Sequence, residues 1–321
     1  MNIAKLFGLA LIGAIASAPF AQEYPVKPVR IIVPFSPGGF VDNSARAISD
    51  KLSTRLGQQV VVENRAGASG NLGTAQVAQA APDGYTLLLG FDGTLAINPS
   101  VYAKMPFDSI KDFAPITKIG DGSLIIVAHP SLPANNLKEL IALSKEKPGT
   151  LSYGTSGTGS TPHVFMELMK MKLGIDWLHI PYKGGGQAIV DVTGGSIPLV
   201  GTAIATAQQY IKQGRLKAIG IANAKRDPAL PDVPTFAESG APDMITYSWA
   251  GVLAPANTPR PIIDRLHREM VAVLKDPDVL KRLAVLGIEP VGNTPEEYGA
   301  QIKADIEKWR PVVKASGIKL E

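Results

Sequence analysis

Two glycine-rich loops in the sequence have the composition of anion-binding turns. The first is Ser36-Pro37-Gly38-Gly39, which lies between a β-branched run and a helical pattern that starts after Asp42. The second runs from Tyr153 to Ser160 and carries three glycines and four serine or threonine hydroxyls. Free N–H groups at a helix start favour an anion, and neutral hydroxyls can hold a carboxylate. We therefore expect the two loops to close on one small acidic ligand.

Side chains beside these loops have alternative interpretations. Gly38 and Gly39 permit left-handed backbone and close approach of a ligand, or they form an ordinary strand-to-helix turn. Asp42 suits a cap for the first helix better than a ligand contact. His163, in the first turn of the second helix, either braces the loop or lies on the surface. Thr155, Ser156, Gly159 and Ser160 supply the neutral donors that a buried carboxylate requires.

The elements that position the loops follow a strand–helix–strand rhythm, which predicts an α/β fold with largely parallel sheets. Ligands bind outside the carboxyl ends of such strands. The first series has strands at 29–33, 59–63 and 85–89, with helices at 43–56 and 72–79. The second has strands at 124–128, 177–181, 197–201 and 218–222, with helices at 137–145, 188–193 and 203–212. Three helices close the chain, at 261–274, 278–286 and 295–313.

This order predicts two lobes with a ligand cleft between them. Residues 22–123 together with 241–321 form one discontinuous lobe, and residues 124–240 form the other. The chain crosses between lobes at hinges near 120–122 and 240–242. Residues 1–21 read as an export signal, because Lys5 precedes an apolar run that is too short to span a bilayer.

Composition excludes several classes of function. The chain has no cysteine, so neither disulfides nor thiolate metal sites can form. Its four histidines lack metal-binding spacing, and we expect no metal and no cofactor. The formal net charge of +4 is spread along the chain, which argues against nucleic acid. An exported, cysteine-free chain fits a bacterial periplasm, and we expect a monomer.

An enzyme is the main alternative class. The second loop lacks the Gly-Lys-Ser/Thr ending of a nucleotide-binding P-loop. It is not a Gly-x-Ser-x-Gly nucleophile elbow, because Gly157 directly follows Ser156. His163 alone does not complete a catalytic triad. A sensor that reports the same ligand to a membrane receptor is a third class, and it would use the same binding residues.

The sequence resembles the extracytoplasmic solute-binding receptors of tripartite tricarboxylate transporters, the TctC-like or Bug family, over essentially the whole mature chain. The matching segments are 33–39 with Asp42, 61–67, 81–87, 98–99, 153–160 with His163, 179–184, 230–235, 249–251 and 254–255. The resemblance implies a type II periplasmic-binding-protein fold, with two α/β lobes that close like a Venus flytrap. It also implies capture of a small carboxylate for membrane transporter subunits similar to TctA and TctB.

Three departures from the family pattern bear on the ligand. Phe40 and Phe91-Asp92 stand where relatives have small or polar residues, and Gly201-Thr202-Ala203 stands where many have Phe-Asp-Asn. Two aromatic faces and a wider distal pocket favour an aromatic dicarboxylate such as terephthalate, with adipate- or succinate-like acids as the alternative. The full set of expected ligand-binding residues is Ser36, Gly38, Gly39, Phe40, Val41, Asp42, Phe91, Asp92, Thr155, Ser156, Gly159, Ser160, His163, Thr202 and Ala203.

Overall fold

The computed structural model describes residues 24–320, so the predicted export signal at 1–21 lies outside the described residues. The first part of the chain, up to the long central strand, contains β1 (Val29–Val33), α1 (Phe40–Leu56), β2 (Val60–Asn64), α2 (Asn71–Ala78), β3 (Thr86–Phe91), α3 (Asn98–Val101) and β4 (Phe113–Ala128). A 3₁₀ turn at Ala68–Gly70 precedes α2, and a π-helical turn at Gly93–Ile97 precedes α3.

The second part of the chain alternates helices and strands. It contains α4 (Leu137–Glu146), β5 (Leu151–Thr155), α5 (Thr161–Leu173), β6 (Trp177–Pro181), α6 (Gly185–Thr193), β7 (Leu199–Ala203), α7 (Ile204–Lys212) and β8 (Lys217–Ile221). The last part contains β9 (Tyr247–Pro255), α8 (Arg260–Leu274), α9 (Pro277–Val285), β10 (Ile288–Pro290) and α10 (Pro295–Ser316).

The strands lie in the order β2-β1-β3-β9-β4-β7-β5-β6, and both β8 and β10 pair with β4. Parallel pairing joins β1 to β2 and β3, and β5 to β6 and β7. Every pairing of β4 and β9 is antiparallel. The α/β fold with a mixed sheet is confirmed, although its antiparallel share is larger than the sequence predicted.

Strand β4 runs through both halves of the molecule without a break. Ser123 pairs with Tyr247 of β9, and the next residue, Leu124, pairs with Ala203 of β7. The half of β4 before Leu124 therefore belongs to the sheet of β1–β3, and the other half to the sheet of β5–β8. The division of the chain into lobes at these positions stays a prediction.

Sequence reasoning missed the first half of β4 and the whole of β9, as well as the short β10. The pattern predicted a strand only from Leu124, yet β4 starts at Phe113, and no strand was predicted at Tyr247–Pro255. Glycine weakens the strand pattern in both segments, since Gly120, Gly122 and Gly251 supply no side chain. The space is taken by neighbours: a Cβ at Gly251 would lie 2.4 Å from the Tyr298 hydroxyl oxygen.

Helix α10, near the end of the chain, packs against the first half of the molecule. A capping box of Thr294 and Glu297 fixes its start, because each side chain bonds the backbone N–H of the other residue. Its buried Tyr298 packs edge-to-face on Trp249 of β9, with ring centroids 5.4 Å apart. No helix between residues 24 and 320 has the length and apolar character needed to cross a bilayer.

Candidate functional site

Four helices start at one small cavity between the two halves of the molecule. Gly39 precedes α1, Pro162 lies in the first turn of α5, Gly185 begins α6, and Ala203 precedes α7, and all four residues line the cavity. First-turn N–H groups have no partner within their own helix, and the helix dipole places partial positive charge there. The cavity therefore suits a negatively charged group.

The cavity wall is apolar and carries no ionisable side chain. Its lining residues are Phe35, Gly39, Phe40, Val41, Phe91, Leu124, Ser156, Pro162, Gly185, Thr202, Ala203, Thr206 and Ser248. The volume open to the centre of a water molecule is about 20 Å³. That is room for about one water, whereas a cavity of about 150 Å³ takes up benzene. The two halves thus meet closely around the site.

Backbone of the first loop meets backbone from the other half of the molecule. The Ser36 N–H donates to the Lys183 carbonyl over 3.2 Å. A Cβ at Gly39 would lie 3.5 Å from the nitrogen of Gly185 and 3.6 Å from that of Gly186. The starts of α1 and α6 therefore face each other without intervening side chains, and at Gly186 only glycine allows this, because a Cβ there would lie 2.3 Å from the Pro37 carbonyl oxygen.

Asp42 holds the first loop in place from outside the cavity wall. Gly38 adopts a φ of +81°, and its N–H donates to Asp42 Oδ2 over 2.9 Å. Arg46 Nε donates to both carboxylate oxygens at 3.0 Å, and Asn64 donates to Oδ1 at 2.9 Å. With its oxygens occupied, Asp42 positions the loop, and neither Asp42 nor Gly38 nor Ser36 lines the cavity.

The second loop directs most of its polar groups toward itself. The Ser160 hydroxyl donates to the Gly157 carbonyl over 2.7 Å, and the Gly159 N–H donates to His163 Nδ1 over 3.1 Å. Thr155 Oγ1 lies 2.7 Å from His179 Nε2. Contrary to expectation, Thr155, Gly159, Ser160 and His163 do not line the cavity, and Ser156 alone of this loop does.

Two histidines stack beneath the second loop. The rings of His163 and His179 lie 3.8 Å apart at an angle of 17°. Burial lowers the pKa of His163 to about 4 and that of His179 to about 3. Both rings are therefore neutral near pH 7, and they brace the loop through Gly159 and Thr155.

Three phenylalanines form one side of the cavity. Phe91 packs edge-to-face on Phe35 at 5.2 Å and on Phe40 at 6.5 Å between ring centroids. Phe40 and Phe91 line the cavity and also pack on each other, so local packing is confirmed and contact with a ligand stays a prediction. Phe35 was not predicted, because it lies at the end of the β-branched run before the loop.

Asp92 is buried directly behind the cavity wall. Its Oδ2 accepts a 2.6 Å hydrogen bond from Thr161 of α5, and its Oδ1 accepts one of 3.0 Å from Ser248 of β9. Burial raises the pKa of Asp92 to about 7 against the effect of these two hydrogen bonds. Ser248 lines the cavity and Asp92 does not, so Ser248 is the cavity residue that is hydrogen-bonded to Asp92.

Strand β7 and helix α7 supply the last part of the wall. Thr202 and Ala203, two of the predicted ligand-binding residues, line the cavity, and Thr206 lines it as well. Thr206 Oγ1 is buried without a hydrogen-bond partner among the described residues. Thr206, Ser248, Gly185, Leu124 and Pro162 were missed. The run Gly184-Gly185-Gly186 at the start of α6 repeats the glycine signal of the first two loops and is the feature that could have identified Gly185.

The chain is similar to known proteins over nearly its full length. A family model described as "Tripartite tricarboxylate transporter family receptor" matches residues 44–318. Protein BugT of Bordetella pertussis is 37% identical over 328 residues, with 100% of both chains covered. The structure of periplasmic binding protein BugD is 36% identical with a TM-score of 0.89, covering 93% of this chain and 100% of that one. A structure described as "R. palustris Rpa4515 with adipate" is 34% identical with a TM-score of 0.90, covering 92% and 99%.

Proposed function

The chain belongs to the tripartite tricarboxylate transporter family of receptors, the TctC or Bug proteins, and is a periplasmic solute-binding protein, not an enzyme. We propose that its solute is a small carboxylate with an apolar body. The observation that carries this proposal is the convergence of four helix starts on one cavity whose wall has aromatic rings and no charged side chain.

Neutral donors suit the carboxylate end of such a ligand. Backbone N–H groups at the starts of α1 and α6, with the hydroxyls of Ser156, Thr202 and Thr206, surround the cavity. A carboxylate that accepts several N–H bonds stays ionised when buried, whereas an ammonium group would meet the positive ends of helix dipoles. The same features disfavour cationic solutes such as amines.

The apolar body of the ligand would contact Phe40 and Phe91. An aromatic dicarboxylate such as terephthalate is our preferred example, because stacking on one ring adds about 0.5–1.5 kcal/mol beyond burial of area. Its ring exceeds the closed cavity of about 20 Å³, so binding requires a wider opening of the cleft or rotation of Phe40. An aliphatic dicarboxylate is slimmer, and the similar R. palustris protein was solved with adipate.

Calorimetric titration with terephthalate, benzoate, adipate and citrate tests the ligand class. Binding of terephthalate that is lost in Phe40→Ala/Phe91→Ala supports the aromatic example. The matched control is Phe107→Ala, which removes a buried ring from a separate part of the core. Heat from adipate without heat from either aromatic acid would establish the aliphatic alternative, and binding of none of the acids would reject the proposed function.

We further propose that ligand capture closes the two lobes and that the closed form delivers the solute to membrane subunits of the transporter. Scattering should then show a smaller radius of gyration when a stabilising acid is added. An unchanged radius would reject closure. A sensing role is distinguished by deleting the gene, since loss of uptake without loss of the transcriptional response to the acid supports transport.

A further inference from the structure

Asp92 is separated from the cavity by the side chain of Ser248. Ser248 lines the cavity and its hydroxyl donates to Asp92 Oδ1, while the Thr161 hydroxyl donates to Oδ2 from the opposite half of the molecule. We propose that capture of a carboxylate at this site takes up one proton from solvent, which binds to Asp92. This inference rests on the proposed function, because it requires an anionic ligand beside Ser248.

No positive charge compensates Asp92. The groups that bond to it or act on its charge are Thr161 on α5, Ser248 on β9, the backbone N–H of Gly93, and Tyr298 and Asp305 on α10. Asp305 carries a further negative charge that acts on Asp92, and its own carboxylate accepts from Trp249 Nε1 over 2.7 Å. The buried carboxylate of Asp42 differs from that of Asp92, because Arg46 and Asn64 donate hydrogen bonds to it. Within residues 24–320, no basic side chain forms a salt bridge with Asp92.

The number of available protons then decides what Ser248 can do. A serine hydroxyl has one proton, so Ser248 can donate to Asp92 or to a ligand carboxylate, but not to both. If Asp92 is protonated, its own O–H donates to Ser248 Oγ, and the Ser248 proton turns to the ligand. Two carboxylates on either side of one hydroxyl also repel each other when both are ionised, which favours protonation of one.

One proton is taken up for each ligand that binds. Binding adds a proton to a carboxylate oxygen of Asp92 and breaks no covalent bond, and release of the ligand returns that proton to solvent. Because burial already raises the pKa of Asp92 to about 7, the exchange falls in an accessible range of pH. The dissociation constant should be nearly constant below pH 7 and rise about tenfold for each unit above it. The ligands themselves are fully ionised there, since carboxylic acids titrate near 4.

Calorimetry in buffers of different ionisation enthalpy measures the proton directly. We would titrate wild type with adipate and with terephthalate at pH 8, in phosphate and in Tris. The expected uptake is about 0.9 proton per ligand for wild type and none for Asp92→Asn, whose affinity should not change between pH 6.5 and 8.5. Glu269→Gln is the matched control, because it neutralises a buried carboxylate that arginines already compensate; it should retain the wild-type uptake.

The outcomes separate this inference from the proposed function. Binding by wild type with no proton uptake overturns the inference and leaves the proposed function intact. Uptake that persists in Asp92→Asn also overturns it, because another group would then be the acceptor. Absence of binding by either acid at both pH 6.5 and pH 8 rejects the proposed function and the inference together. If Asp92→Asn does not fold, Ser248→Ala replaces it: without the hydroxyl that bonds Asp92 beside the ligand the uptake should fall, and an unchanged uptake overturns the inference.

Discussion

The two glycine-rich loops look alike in sequence, yet they contribute differently to the cavity. Residues 39–41 of the first loop line it with backbone and aromatic side chains, whereas Ser156 alone represents the second. The first loop has few side-chain donors of its own and is fixed from outside by Asp42. The second is rich in hydroxyls, and it bonds them to its own carbonyl groups and to histidines. The first loop, with few polar side chains, therefore leaves its backbone N–H donors free, whereas the second loop uses its hydroxyls to stabilise its own conformation.

The largest expected effect comes from closing the gap at Gly39. A Cβ there meets Gly185 and Gly186 nitrogens at ordinary contact distance, but the γ-carbons of valine would collide with them. We expect Gly39→Val to weaken binding of the best acid at least ~100-fold, about 2.7 kcal/mol, by preventing close approach of α1 and α6. Calorimetric titration of wild type and variant with that acid measures the loss of affinity.

Gly39→Ala is the graded control for that variant. It adds the Cβ without the γ-carbons, and Gly39 has a φ of −86° that alanine adopts readily. Its loss of affinity should stay within a few-fold. Equal affinities for Gly39→Val and wild type would show that the first loop is not part of the binding site.

Ser156→Ala should have the next largest effect, and on binding alone. Ser156 lines the cavity, and we expect its hydroxyl to donate to the ligand, so its removal should leave a buried ligand oxygen short of a donor at a cost of about 1–3 kcal/mol. Thermal stability without ligand should match wild type, because Ser156 is half-buried and not part of the loop's own bonds. An unchanged dissociation constant would mean that the second loop makes no polar contact with the acid.

Ser160→Ala should show the reverse pattern. Its hydroxyl donates to the Gly157 carbonyl inside the loop, so we expect a loss of about 1 kcal/mol in the free energy of unfolding. Affinity should change less than in Ser156→Ala. Chemical unfolding and calorimetry on both variants would measure the contrast. If Ser160→Ala weakened binding more than Ser156→Ala at equal stability, the assignment of the two hydroxyls would be reversed.

The smallest effect at neutral pH concerns the stacked histidines. Their folded-state pKa values, about 4 and 3, lie below the ordinary 6.5, so the unfolded chain binds protons first as the pH falls. Their contribution to stability is complete above pH 6.5 and is lost as the pH falls toward 4.

Melting temperatures between pH 7.5 and 5 would test this contribution. His163→Gln should lose less of its melting temperature on acidification than wild type. The control is His129→Gln, since the His129 imidazole bonds Ser131 away from both loops. Because Asp92 changes stability with the opposite sign over this range, the comparison is between variants. Parallel curves for wild type and His163→Gln would show that the stacked pair does not govern the acid response.

The local sequence pattern predicted most of the helices and the parallel strands, because apolar periodicity and glycine turns depend only on residues that are close in sequence. It failed at β4 and β9, where glycines are selected by packing against Tyr298 and Phe40 from distant segments. The sequence did place Gly39, Phe40 and Val41 at the loop that lines the cavity, and their contact with a ligand stays a prediction.

Sequence could not tell which hydroxyls face the ligand. Thr155, Ser156 and Ser160 are chemically alike, and only the three-dimensional positions of His179 and the Gly157 carbonyl decide which of them are occupied. Likewise, Ser248 and Thr206 reach the cavity from segments with no local signal. The position of Asp92 beside Phe91 was evident, but its separation from the cavity by Ser248 was not.

The place of β9 in the sheet has a consequence for the order of assembly. Strand β9 lies between β3 and β4, although it is made more than a hundred residues after β3. The strands β5 to β8, by contrast, follow one another along the chain, and each pairs either within this group or with the end of β4 that directly precedes it. Since local pairings form faster than distant ones, we expect the later sheet to fold first. The earlier strands, which leave the ribosome first, must wait until nearly the whole chain has been synthesised.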